Sequence, residues 1–472
     1  MKLNRILSVL IAVLSAPVFS WGFKVDGLRY NVLSETDCTV EVSYEYPNQN
    51  NRGYVKGDII VPSRVSYDGK YYKVIAIGET AFHDCSRLKT ITLPSTLISI
   101  GKYAFQNCRD LDTVVFPYYM TTIEEYAFYN CENLYSLDLP PSLTTIGDNA
   151  FYGCFRLSFP ELPASLTTIG AQAFNGCKNL TISELPASLV SIGASAFIGC
   201  EKVTSLTLPE FVTDLAYGAF KNSYLTEIQI SPDNPAYCAI DGIIYRKDMQ
   251  RVVECLESKE GAVIIPESVN TIEKYAFSGC KLLTSVSIPA SVYSIREGAF
   301  ENCAGLTSIA VPECTTVIEK LVFKGCSGLT SFHLPEGVTY IGDEAFDGCK
   351  FNEFYCHAVT PPITGKDPLS TIHTLYVPVG TRYEYRKVEP WSYYNVKEMD
   401  FSSIEETVAG SGLKVSVTDG VVNVSGNEAD AAVEIFDMLG RNVFSGHGDA
   451  SLTLPAGVYI LRNPAKTVKL KI

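Results

Sequence analysis

The stretch IGETAFHDCSRLKTITLP, residues 77–94, decides the fold, because it returns with few changes down most of the chain. Aligned on its phenylalanine, it places Phe82, Phe105, Phe128, Phe151, Phe174, Phe197 and Phe220 at a constant spacing of 23 residues, and Phe277, Phe300, Phe323 and Phe346 at the same spacing. A fixed period of this length means a solenoid of stacked units. One unit reads I-G-x-x-A-F-x-x-C-x-x-L-x-x-I-x-L-P-x-x-L-x-x-I. It cannot bury its own apolar side, whereas stacked copies set Leu88, Ile91 and Leu93 beside Leu111, Val114 and Phe116, then beside Leu134, Leu137 and Leu139. The part L-x-x-I-x-L-P alternates as a strand does and ends on a proline stop.

This pattern resembles the BspA-like leucine-rich repeat over residues 74–350. The resemblance implies a right-handed leucine-rich-repeat solenoid, mainly β, in a secreted or surface-displayed bacterial protein. It also implies adhesion to extracellular proteins of a host, with no enzyme activity and no shared catalytic residue.

Working outward, residues 1–20 carry Lys2 and Arg5, an apolar run from Ile6 to Leu14, and small residues around Ser15, Ala16 and Ser20. That order predicts a secretory signal peptide, and its apolar run is too short to span a bilayer in the mature chain. Residues 21–73 turn to alternating strands with turn-formers at Pro47-Asn48 and Asp68-Gly69, which predicts an N-terminal β cap over the open end of the core.

The repeat breaks once. Phe220 and Phe277 are 57 residues apart, and Asp241-Gly242 within this insertion, 221–262, signals a hairpin, read here as two or three extra strands projecting from one edge. A binding excrescence and a simple adjuster of shape are both open to it.

Residues 351–400 resemble the C-terminal cap of such arrays. Trp391 with Tyr383, Tyr385, Tyr393 and Tyr394 either covers the last rung or offers a platform for a carbohydrate. Residues 401–412 read as a linker, and 413–472 as a C-terminal β-sandwich of short strands. IFDMLGRNV, LPAGVYIL and KTVKLKI in that tail resemble the sorting domain of the type IX secretion system, which implies an export role.

Composition narrows the function. With 46% hydrophobic and 19% charged residues the chain lies far from the disordered class, and a net charge of −14 without a basic tract argues against nucleic-acid binding. Ten of the fifteen cysteines, Cys85, Cys108, Cys131, Cys154, Cys177, Cys200, Cys280, Cys303, Cys326 and Cys349, share one repeat position. Parallel side chains on stacked rungs suit free, buried thiols better than disulfides or zinc ligands. Cys238 and Cys255 are the pair a bridge would join. His83, His333, His357, His373 and His447 are scattered outside any catalytic motif, so neither catalysis, nor a cofactor, nor a metal is expected.

A ligand site is sought where the strands face water. Most such positions are small, but Phe159 with Glu161, and Ile182 with Glu184, depart from this, and Asp138 lies one rung earlier. Exposed apolar groups rimmed by charge make a recognition patch. Against it, Pro160 and Ser183 stand where the middle apolar residue belongs, so a one-residue slip would bury Phe159 and Ile182 instead. The sequence therefore predicts a secreted or surface binding protein for a host matrix or plasma protein, with a carbohydrate-capturing or structural surface component as the alternative.

Overall fold

The computed structural model describes residues 22–43, 55–135, 137–159 and 161–401, together with the strands between residues 404 and 471. The expected signal peptide, and the greater part of the linker, lie outside the described residues. The chain is a β-solenoid of about 14 turns. It divides into two compact units, one of residues 1–332, 337–352 and 363–371, the other of 333–336, 353–362 and 372–472.

In the first unit, each 23-residue repeat becomes one rung. Ile77, Ile100, Ile123, Ile146, Ile169, Ile192 and Leu215 pair in parallel register, each bringing a Thr, Ser, Ala or Asp with it to the outer side. A second ladder runs through the Ala-Phe turns, where the Phe82, Phe105 and Phe128 amides donate to Ala104, Ala127 and Ala150. These two ladders hold the phenylalanine rings face to face, 5.0–5.8 Å apart from Phe82 to Phe197.

Two residues after each phenylalanine the backbone is left-handed, with φ of 60° at Asp84, 61° at Asn107 and 72° at Gly153. This is why the repeat puts only Asp, Asn or Gly there. Ser142 and Ser165, in the turn after the strand proline, each reach two carbonyls of the preceding rung, Ser165 at 2.7 Å from both Pro141 and Leu143.

The column cysteines are free thiols inside this frame. Cys108, Cys131 and Cys154 donate to the carbonyls of Phe82, Phe105 and Phe128 at 3.1–3.2 Å, and the pattern repeats along the array. Burial pushes the Cys154 and Cys200 thiols up. Cys238 and Cys255 are free as well, while Cys314 is exposed because it occupies the position of Ser142 rather than the column. A maleimide reagent on the native chain is therefore expected to label Cys314 first and none of the ten column cysteines, as read by peptide mass mapping. Native labelling of Cys154 would contradict this packing.

The N-terminal strands Gly22–Val25, Leu28–Ser34 and Thr39–Ser43 pair antiparallel, and the last then pairs parallel with Lys70–Ile77, handing the array its first rung. One continuous cluster of buried side chains runs from Phe23 to Leu256.

The insertion differs from its expected form. Tyr237–Ile240 and Ile243–Arg246 do make a hairpin at Asp241-Gly242, but Arg251–Cys255 pairs parallel with Thr271–Ile272 and so takes a rung's place instead of projecting. Gly261–Ile264 then pairs with Leu283–Ser287 and the repeat resumes.

In the second unit, Leu375 and Tyr376 pair in parallel with Val396 and Lys397. The tail holds two four-stranded antiparallel sheets. One contains the hairpin of Lys414–Thr418 and Val421–Ser425, and the other joins Ala432–Asp437 to Val458–Asn463 and Lys466–Lys471.

Candidate functional site

The strands L-x-x-I-x-L-P form the face on which a ligand was expected. In their regular form the first, fourth and sixth residues point inward, and the third and fifth point out. Leu88–Thr92 follows this rule: Leu88 and Ile91 are buried, and Thr90 and Thr92 sit in register with Thr113 and Val115.

Past Val115 the strand pairing among the described residues of this face thins to isolated bridge positions at Ser158 and Glu184, the latter to Thr207, before Ser205–Leu208 pairs again. This thinning coincides with the departures seen in the sequence. Phe159 is only 3% exposed and Ile182 only 2%, whereas Ser183 is exposed. These two residues are therefore not surface anchors, and the apolar half of the expected patch is withdrawn.

The physical reason is a slip of one residue. The sequence puts Ser183, and one repeat earlier Pro160, at the repeat position that Ile91 holds, and the preceding side chains Ile182 and Phe159 turn inward to complete the core. Phe159 sets its ring edge-on to Phe174 at 5.9 Å, which is how Phe332 meets Phe346 from the regular position.

What remains outside is acidic. Asp138, Glu161 and Glu184 are exposed and recur at the 23-residue spacing, one per rung. Among the described residues none of the three makes an ion pair or a side-chain hydrogen bond. Equivalent positions on other rungs carry Thr92, Val115, Thr207, Gln229 and Ser287, all uncharged. Beside the column, Tyr135 is 55% exposed and stacks under the Arg156 guanidinium at 5.5 Å. Adjacent rungs lie about 4.8 Å apart, so three like charges in a row repel one another and favour an approaching cation.

The aromatic group of the second unit resolves into two parts. Trp391 and Tyr385 are fully buried, Trp391 donating to the Pro362 carbonyl at 2.9 Å and Tyr385 to the Ala358 carbonyl at 2.6 Å. A sugar platform built on Trp391 is thereby excluded. Tyr383 and Tyr393 stay exposed, and the Lys387 ammonium covers the Tyr383 ring at 3.8 Å.

Sequence reading missed a ring column. His333, Tyr355 and Tyr376 stack at 4.3 and 4.9 Å, and Lys397 stands 5.9 Å from the last ring. Their signal was available: these residues occupy the same outward strand position as Asp138. The Tyr355 ring has a neighbour on each face, and His333 at the end of the stack is exposed.

Three regions of the chain, 71–181, 167–237 and 256–363, match the BspA type leucine rich repeat region, in six copies. No curated protein matches the chain. Among solved structures it is similar to a leucine rich cell surface protein of Faecalibacterium prausnitzii A2-165, at 26% identity and a TM-score of 0.56, covering 79% of this chain and 97% of that one. It also shares a fold with the pneumococcal vaccine antigen PcpA, at 20% identity and a TM-score of 0.57, covering 81% of this chain and 98% of that one. The matched regions span more than half of the chain, which belongs to the BspA type leucine rich repeat family.

Proposed function

We propose that this chain is a non-enzymatic, secreted or surface-attached adhesin, holding an extracellular host protein against the acidic column of Asp138, Glu161 and Glu184. The observation that carries the reading is that three carboxylates with no ion pair or side-chain hydrogen bond among the described residues stand exposed at one position of successive rungs. The equivalent positions on the neighbouring rungs, Thr92, Val115, Thr207 and Gln229, carry no charge. The fitting partner is a matrix or plasma protein with a basic stretch, bound through several weak contacts along the array. The likeness to a cell surface protein supports the location. So do the signal-peptide pattern of residues 1–20 and the sorting-domain pattern of 413–472, the latter read as a β-sandwich.

The test is binding of the immobilised chain to a panel of extracellular proteins and glycans at physiological salt. Asp138→Asn, Glu161→Gln and Glu184→Gln combined should weaken protein binding by about tenfold or more and flatten its dependence on salt. Binding unchanged by all three would reject the site. Binding to glycans alone, lost with Tyr383→Ala, would instead favour the carbohydrate reading, because Tyr383 remains at the surface of the second unit.

A further inference from the structure

Backbone bonds join rung to rung throughout the first array and again from residue 251 onward, but between the two arrays the joining groups are largely side chains. At the end of the first array the Phe220 amide donates to Glu254 Oε1 at 2.9 Å and the Asn222 amide to Glu257 Oε1 at 2.7 Å. Their counterparts, Phe174 two rungs earlier and Gly199 one rung earlier, donate to backbone carbonyls. The Leu215 amide donates to the Tyr237 hydroxyl at 3.1 Å, and the Asn234 amide group donates to the Pro209 and Val212 carbonyls at 2.9 Å.

The backbone of the same strand serves the other array. Cys255 donates to the Ala276 carbonyl at 2.6 Å, and Glu273 donates to that of Val252 at 3.0 Å. Residues 251–257 are thus held by main chain on one side and by carboxylates on the other. The continuous core cluster ends here, at Leu256, and a cleft of about 450 Å³ lined by Lys221, Asn222, Gly279, Lys281 and Glu301 opens beside this junction.

Glu254 is the sensitive member. It is 3% exposed, and its Oε2 has no hydrogen-bond partner among the described residues. The groups that face it are the Phe220 and Ala219 amides, the Glu257 carboxylate and the Lys221 ammonium. Lys221 is itself held by Glu301 at 2.8 Å and lies over the Tyr275 ring at 4.7 Å. Glu257 faces the Asn222 amide, Lys221 and Lys281.

We propose that Glu254 is a proton-sensitive joint, closing the first array onto the strand Arg251–Cys255 when protonated and loosening that junction when ionised. Protonated, Oε1 still accepts the Phe220 N–H and no charge is buried. Ionised, the group carries a buried charge whose second oxygen has no hydrogen-bond partner among the described residues. Burial raises the carboxyl to about 8, against the opposing pull of the Phe220 amide. Because the folded value lies above the unfolded one, the joint is tightest below the ordinary carboxyl range and weakens as pH climbs to about 8.

Hydrogen exchange on the full chain, corrected for intrinsic rates, tests this at about pH 6 and about pH 9. Protection of the peptide holding Phe220 and Asn222 should fall by about tenfold at the higher pH, while that around Phe151 holds. Glu254→Gln keeps the acceptor without the charge and should retain protection at both. Equal loss at Phe151, no loss at Phe220, or an identical loss in Glu254→Gln would overturn the proposal. Should Glu254→Gln not fold, the contrast between Phe220 and Phe151 in the unaltered chain still decides it.

Discussion

Replacing Phe174 with alanine is expected to destabilise the array by about 3–5 kcal/mol, a large fraction of the stability of a typical domain. The ring is fully buried, stacked 5.8 Å from both Phe151 and Phe197 and met edge-on by Phe159 at 5.9 Å. The size of the loss depends on whether neighbours can collapse into the space. Here they cannot move freely. The Phe151 amide is bound to the Ala173 carbonyl at 2.8 Å and that of Phe174 to Ala196 at 3.0 Å, so the turns that carry the flanking rings are tied at rung spacing.

Urea unfolding of the variant beside the unaltered chain measures this, with Phe174→Leu as a milder comparison that leaves part of the space filled. Because each rung contacts only its neighbours, lost exchange protection should centre on the rungs of Phe151, Phe174 and Phe197 and leave those near Phe300 intact. A shift below about 1 kcal/mol would mean that the phenylalanine column is not what holds the rungs together.

That column was legible in the sequence because identical neighbours solve the same packing problem at every rung, and repetition shows the solution many times over. The cysteine column was legible for the same reason, whereas the Asp, Asn or Gly two residues after each phenylalanine took its meaning only from the left-handed backbone there. What could not be read was where one rung departs from the rest. At Phe159 and Ile182 two adjacent positions compete for one slot in the core, and pattern alone does not choose between them. Contact with Phe174 settles it for Phe159.

Glu254 poses a different difficulty. Within VVECLES it looks like an ordinary outward residue of a strand, and its meaning depends on a backbone carbonyl that the insertion removes from the next rung. The acidic residues Asp138, Glu161 and Glu184 were found from the sequence, but together with apolar companions that the structure turns inward. The ring column of His333, Tyr355 and Tyr376 went unseen because His333 was weighed as one of five scattered histidines, and the outward position was not followed onto the strands that carry Tyr355 and Tyr376.

Trp391 tests how such an ambiguity between covering and binding is settled by measurement. Its indole is fully buried, with Tyr385 against it edge-on at 5.6 Å, Phe354 at 6.5 Å and its N–H on the Pro362 carbonyl at 2.9 Å. Trp391→Ala should cost the second unit about 3–5 kcal/mol through lost burial and a cavity, and it leaves the Pro362 carbonyl without its donor. Trp391→Phe keeps most of the volume and should cost less, the remainder reflecting the lost hydrogen bond. A sugar platform would respond differently: stability would hold and glycan affinity alone would fall, since an exposed ring contributes little to folding. Thermal unfolding of the two variants, followed alongside glycan binding, separates these outcomes, and an unchanged melting temperature for Trp391→Ala would restore the ring to the surface. The burial of Trp391 argues for the first outcome, so any loss of binding in Trp391→Ala should track the fraction unfolded rather than the ligand offered.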